Sequence, residues 1–180
     1  LAERLGYAAI CLTLDAHWPA KRDSRVRRRE PHPLVAGPQP PRPGADGGRE
    51  RYHVMPDPAH NWADPRATWD DLAWFRTLTS LPIVCKGIMN ADDARGCVER
   101  GMEGILVSNH GGARLDQTQA PVEVLPEIVD AVGDRAEVYL DGGIRRGSDV
   151  VKALALGARA VLLGRPVYWG VAHGGATGML

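Results

Sequence analysis

Glu137-Val-Tyr-Leu-Asp-Gly-Gly-Ile-Arg-Arg-Gly147 and Ala160-Val-Leu-Leu-Gly-Arg-Pro166 are the stretches whose reading decides the fold. Each opens as a short apolar run and ends in glycine and arginine. The first passes into Ser148 to Leu156, an amphipathic helical pattern that stops at Gly157. A strand feeding a helix, followed by another strand, is a βα unit and implies a parallel sheet. Gly142, Gly143 and Gly164 let backbone N–H groups approach an anion closely, and Arg145 and Arg165 add forked cationic donors. Together they describe a phosphate cradle at helix N-termini. In a (β/α)8 barrel such cradles follow strands seven and eight. Tight turns carrying solvated arginines are the competing reading.

Working outward, three more apolar runs read as strands: Ala8 to Leu14, Pro82 to Cys85 and Gly104 to Val107. All five runs are brief, rich in Leu or β-branched residues, and without alternation. That pattern predicts strands covered on both faces. Helices are expected over Trp69 to Leu78 with Thr68 as cap, over Asn90 to Gly101 with an Asn cap and a Gly stop, and over Pro121 to Val132. Between about residues 17 and 65 the chain is dense in Pro, Arg and Gly, with no periodic apolar pattern. A long surface loop, partly disordered, is expected there.

The 180 residues suffice for one domain with a real core. Lys plus Arg and Asp plus Glu are both 22, so the net charge is zero and favours neither nucleic acid nor an anionic membrane. Cys11, Cys85 and Cys97 form no Cys-x-x-Cys pair. Reduced thiols in a cytoplasmic compartment are expected, with no metal site, and with Cys11 and Cys85 in the core. No apolar run approaches the ~20 residues that span a bilayer, and no signal peptide is expected. The chain opens within a helix-like pattern at Leu1 to Leu5, and Gly174 to Leu180 looks like the start of a further helix. Both ends thus read as cuts in a longer protein.

Three further strand ends carry chemistry. In Leu106-Val-Ser-Asn-His-Gly-Gly112, a histidine directly follows a buried strand, where barrel enzymes display catalytic groups. An imidazole there can take a proton near neutral pH, or it can simply cap a turn. Lys86 ends the run Leu81-Pro-Ile-Val-Cys-Lys86. It is either a snorkelling edge residue or a cation aimed into the site. Asp15 ends Leu12-Thr-Leu-Asp15 and is either a turn former or the partner of a catalytic imidazole.

Read together, these segments resemble the FMN-dependent α-hydroxy-acid dehydrogenase family, the group of glycolate oxidase, lactate oxidase and mandelate dehydrogenase. The matching pieces are Leu12 to Asp15, Lys86-Gly87, Val107 to Gly112, Asp141 to Asp149, Lys152 to Gly157 and Gly164 to Pro166. The resemblance implies a (β/α)8 TIM barrel, of which this chain carries strands four to eight. Such a part leaves sheet edges unpaired and flavin contacts incomplete, so the isolated chain is expected to bind FMN weakly. The implied reaction is oxidation of a 2-hydroxy acid to a 2-oxo acid. His110 is then the base, Asp15 the group that stabilises its imidazolium, and Lys86 the cation that favours reduced flavin. Thr13 and Ser108 would hydrogen-bond the isoalloxazine. Asp141, Gly142, Gly143, Ile144, Arg145, Gly164 and Arg165 would hold the ribityl chain and phosphate. Arg22, seven residues beyond Asp15, matches an arginine that helps hold the substrate carboxylate. The family also implies a homo-oligomer, commonly a tetramer.

One departure bears on the substrate. The family reads Ser-Asn-His-Gly-(Gly or Ala)-Arg-Gln-Leu-Asp, whereas this chain has Ser108-Asn-His-Gly-Gly-Ala-Arg-Leu-Asp116. The usual carboxylate-binding arginine falls on Ala113, and Arg114 takes the next position. Three readings stay open: Arg114 substitutes for it, the substrate is a non-carboxylate such as the peptide-derived ring taken by pre-mycofactocin synthase, or the chain is non-catalytic.

Overall fold

The structure, a computed structural model, describes residues 2–16, 67–115 and 117–179. The expected loop at about 17–65, Arg22 within it, lies outside the described residues. Residues 1–15 and 67–180 group into one compact unit. Its centre is a five-stranded sheet in chain order: β1 (Ile10–Thr13), β2 (Ile83–Ile88), β3 (Gly104–Val107), β4 (Glu137–Asp141) and β5 (Ala160–Leu162). Every neighbouring pair is parallel. The connections carry α1 (Trp69–Arg76), α2 (Ala91–Glu99), α3 (Pro121–Val132) and α4 (Gly147–Ala155), and α5 (Arg165–Gly174) follows β5. The α/β architecture expected from the repeated βα pattern is therefore present.

The helix boundaries follow from local chemistry. Asn90 caps α2 by accepting from Asp93 N at 2.8 Å. The Asp71 carboxylate accepts from Thr68 N at 2.8 Å and Thr68 Oγ1 at 3.0 Å, fixing the start of α1. Pro121 sits in the first turn of α3, where its missing N–H costs nothing. At the C-terminal end, where the start of a further helix is expected, Gly174 closes α5 and Gly175–Met179 forms a 3₁₀ helix.

One face of the sheet packs on the helices. Ile83 and Cys85, Ile105 and Val107, and Val138 and Leu140 join Ala94, Cys97, Leu125 and Ile128 in a single buried cluster. Each large aliphatic side chain so buried contributes about 1.5–3 kcal/mol. The opposite face takes the alternate positions. Thr13, Lys86, Leu106 and Tyr139 are register partners across four strands. The expectation of strands covered on both faces holds only for β3, whose four residues are all buried. β1, β4 and β5 each carry exposed residues and β2 carries half-buried ones, because among the described residues helices cover one side only.

Cys11 is corrected for the same reason. It lies on the uncovered face of the edge strand β1 and is exposed, whereas Cys85 is buried as expected. Partial desolvation pushes the Cys11 thiol up, with Lys86 opposing. A hydrogen bond with Cys97, together with burial, pushes Cys85 well above the ordinary thiol range, so it stays a thiol. Among the described residues, no helix is long and apolar enough to cross a membrane.

Candidate active site

All the chemically active side chains lie at the C-terminal ends of the parallel strands. β1 leads to Asp15, β2 carries Lys86, β3 leads to Ser108 and His110, β4 ends on Asp141, and β5 leads to Gly164 and Arg165. Parallel pairing alone brings these ends to one edge of the sheet.

His110 and Asp15 meet there. Nδ1 of His110 lies 3.0 Å from Oδ1 and 3.1 Å from Oδ2 of Asp15, and the Asp15 side chain is only 13% exposed. A carboxylate with both oxygens in reach of Nδ1 holds the proton on that nitrogen and leaves Nε2 as the basic one. The loop bearing the histidine is wound left-handedly. φ is 57° at His110, 66° at Gly111 and 76° at Gly112. A histidine at such φ costs about 1–3 kcal/mol and needs support from its surroundings. Ser108 Oγ accepts from His110 N at 3.1 Å, and Asn109 Oδ1 accepts from Gly112 N at 3.0 Å.

Lys86 sits between two acceptors. Its Nζ donates to Ser108 Oγ at 2.9 Å and lies 3.3 Å from Asp141 Oδ2. Lys86 and Asp141 are 17% and 18% exposed, so each offers the other a partner of opposite charge in a largely desolvated place. Ser108 is fully buried and accepts two hydrogen bonds, which leaves its own proton to donate. Thr13 is the register partner of Lys86 and is exposed on the same face. The register of β2 shifts between Lys86 and Ile88, and Gly87 sits in that bulge with φ 99°.

The phosphate-type loops are next to this cluster. Gly142 and Gly143 have φ 85° and 79°, and the Cβ positions of Gly143 and Gly164 face open space. Ile144 is buried in the core, so it anchors the turn and offers only its backbone outward. Arg145 is exposed, donates from NH1 to Ile144 O at 2.9 Å, and stacks with its Cζ 5.0 Å from the Trp169 ring centroid. Asp149 Oδ2 accepts from Arg145 N and Arg146 N, which holds its carboxyl below the ordinary carboxylate value. Arg165 NH2 donates to Gly111 O at 3.0 Å.

Asp141 Oδ1 is buried with no hydrogen-bond partner among the described residues. A buried carboxylate oxygen left so is costly unless a ligand hydroxyl meets it. An acceptor facing no donor, a left-handed Gly-Gly turn and two arginines suit a polyol chain ending in a phosphate. Arg114 is half-buried in the loop after the histidine, as is Ala113. The structure thus brings together Asp15, Lys86, Ser108, His110 and Asp141 as a contact network, with Arg165 joined through Gly111. Sequence reasoning missed Gly87, Gly111, Asn109 and Trp169 as parts of the framework. Gly87, Asn109 and Gly111 were within the quoted motifs, whereas Trp169 falls in α5, which the reading of the phosphate loop stopped short of.

The chain is 46% identical to 2-hydroxyacid oxidase 1 of Homo sapiens over 190 residues, covering 99% of the chain and 50% of that protein. It is 47% identical to L-lactate oxidase of Nostoc sp. (strain PCC 7120 / SAG 25.82 / UTEX 2576) over 184 residues, 97% of the chain and 48% of that protein. A crystal structure of mandelate oxidase with benzoyl-formic acid superposes with a TM-score of 0.79 at 41% identity, over 99% of the chain and 47% of the oxidase. The chain therefore spans about half the length of the relatives it matches. The family profile described as FMN-dependent dehydrogenase matches residues 1–180, and the chain belongs to that family.

Proposed function

We propose that this chain supplies the base and much of the flavin site of an enzyme that oxidises a 2-hydroxy acid to a 2-oxo acid. The observation that carries the reading is the Asp15–His110 pair, with its Nδ1 contacts of 3.0 and 3.1 Å, set beside Lys86 at the same strand ends.

Oxidation of a hydroxy acid releases two electrons and two protons. FMN, when bound, would supply the oxidant, taking up the electron pair together with the other proton. His110 takes one proton on Nε2, and Asp15 stabilises the imidazolium that results. Lys86 supplies positive charge that favours a negatively charged reduced flavin, tempered by Asp141 at 3.3 Å. Thr13 and the spare Ser108 proton serve the isoalloxazine edge. Asp141 Oδ1 would accept from a ribityl hydroxyl. Gly142, Gly143, the Ile144 backbone, Arg145, Gly164 and Arg165 hold the lower ribityl chain and phosphate. Arg114 and Arg22 are the candidates for the substrate carboxylate, Arg114 standing one position beyond Ala113. The same reading takes residues 1–180 as part of one barrel domain, in a homotetrameric, cytoplasmic enzyme; free thiols suit a reducing compartment.

The test uses the full-length polypeptide loaded with FMN, mixed anaerobically with lactate, glycolate or mandelate. Bleaching of the flavin absorbance by at least one of them is expected. Absence of bleaching with every hydroxy acid sinks the proposal.

A further inference from the structure

Arg165 and Gly111 belong to different loops, and their contact crosses a third. Arg165 follows β5, Gly111 follows β3, and the Asp141-Gly142-Gly143 turn of β4 lies between them in the sheet order. The guanidinium therefore spans the cradle assigned above to the cofactor phosphate. It donates to the carbonyl of the residue directly after the base, at 3.0 Å. Glycine at position 111 leaves room for that approach: a Cβ there would stand 3.2 Å from Arg165 NH2, and the guanidinium would have to give by a few tenths of an ångström. Gly112 has a similar left-handed φ, yet a Cβ on it would meet nothing within 4 Å.

We propose that Arg165 couples cofactor phosphate to the position of the catalytic base. This rests on the FMN reading given above. A guanidinium carries five N–H donors, so one can hold Gly111 O while the others hold an anion. An anion bound by the remaining donors fixes the fork. The fork fixes the Gly111 carbonyl, and with it the strained backbone of His110 at φ 57°. Arg165 is thus a positioning residue for His110 as well as a phosphate ligand. By reciprocity, disturbing Gly111 weakens phosphate binding from the far side of the contact.

The experiment compares Gly111→Ala with Gly112→Ala in the full-length polypeptide, measuring dissociation constants for FMN and for riboflavin. Both substitutions place alanine at left-handed φ, so backbone strain is similar, and of the two added Cβ atoms only that at position 111 meets Arg165. Gly111→Ala is expected to weaken FMN binding about ten- to a hundredfold more than Gly112→Ala, the size of a lost hydrogen bond to a charged group. Riboflavin, lacking phosphate, is expected to respond equally to both. Equal effects of the two variants on FMN, or an equal excess loss for riboflavin, overturn the proposal. In a second arm, Arg165→Lys keeps a charge for phosphate but loses the fork. At saturating FMN its flavin reduction by substrate is expected to slow at least about tenfold with unchanged substrate affinity, as a hydrogen bond to a charged group is lost. An unchanged reduction rate also overturns the proposal. Wild-type protein that does not prefer FMN over riboflavin overturns the cofactor reading itself, an outcome distinct from the others.

Discussion

Gly87 lies directly against Asp15: a Cβ at position 87 would stand 2.6 Å from both Cβ and Cγ of Asp15. The bulge in β2 therefore does two things at once. It shifts the ladder register directly after Lys86, and it clears the space in which Asp15 reaches His110. Gly87→Ala is expected to push the carboxylate off the imidazole. Misplacement of a catalytic group by about 1 Å costs on the order of 10²-fold in rate. Stopped-flow flavin reduction in the full-length polypeptide checks this, with FMN content and substrate affinity measured alongside. In an Asp15→Asn background the same glycine substitution should cost much less, because the interaction it disturbs is already weakened. Full additivity of the two losses refutes the assignment.

His110→Gln removes the basic nitrogen while keeping a polar side chain of similar reach. Loss of a general base costs about 10²–10⁴-fold. Flavin reduction by substrate should fall by that factor, while the yellow, FMN-loaded protein persists. Retained turnover rules out His110 as the base.

Much of this arrangement was legible in the sequence because it rests on strand ends. Gly104 to Val107 is a strand as read, and β4 and β5 differ from expectation only by a residue at one end. β2 runs on to Ile88, beyond the apolar run that stopped at Cys85, because a bulge carries Lys86 and Gly87 within the strand. A charged residue followed by glycine breaks the apolar pattern that marks a buried strand, so pattern alone ends it too soon. Cys11 misled for a different reason. Its apolar neighbours point to a core strand, but burial depends on what covers the edge, which the local sequence does not carry. Asp15 and His110 were each ambiguous alone; 95 positions apart in sequence, they are joined only by the pairing of parallel strands.

Trp169 was not among the site residues read from sequence, yet its ring carries the Arg145 guanidinium at 5.0 Å. A cation–π contact of this kind is worth about 0.5–2 kcal/mol, or about two- to thirtyfold in affinity. Trp169→Leu should weaken FMN by a factor in that range and leave riboflavin unaffected. The loss should vanish when Arg145 is already Met. Equal losses for FMN and riboflavin point instead to a general role of Trp169 in α5 packing.

Asp149 makes the turn at 142–146 sensitive to acid, and the sign follows from its hydrogen bonds. The backbone N–H of Arg145, then that of Arg146, donates to its ionised carboxylate and holds the carboxyl below the ordinary value of 3.8. A group with a lowered folded value contributes stability that is fully present above the ordinary value. That contribution is lost as pH falls through the lowered one. Between pH 7 and 5, then, Asp149 is ionised whether the chain is folded or unfolded, and its contribution stays constant. Below about pH 4 the contribution shrinks, because protonation removes the charged acceptor from both N–H groups. Melting temperatures of wild type and Asp149→Asn, taken across pH 7 to 3, check this. The gap between the two should be flat down to about pH 5 and close below 4. A gap that is already closing between pH 7 and 5, or that persists unchanged to pH 3, excludes Asp149 as the acid-sensitive brace of the turn.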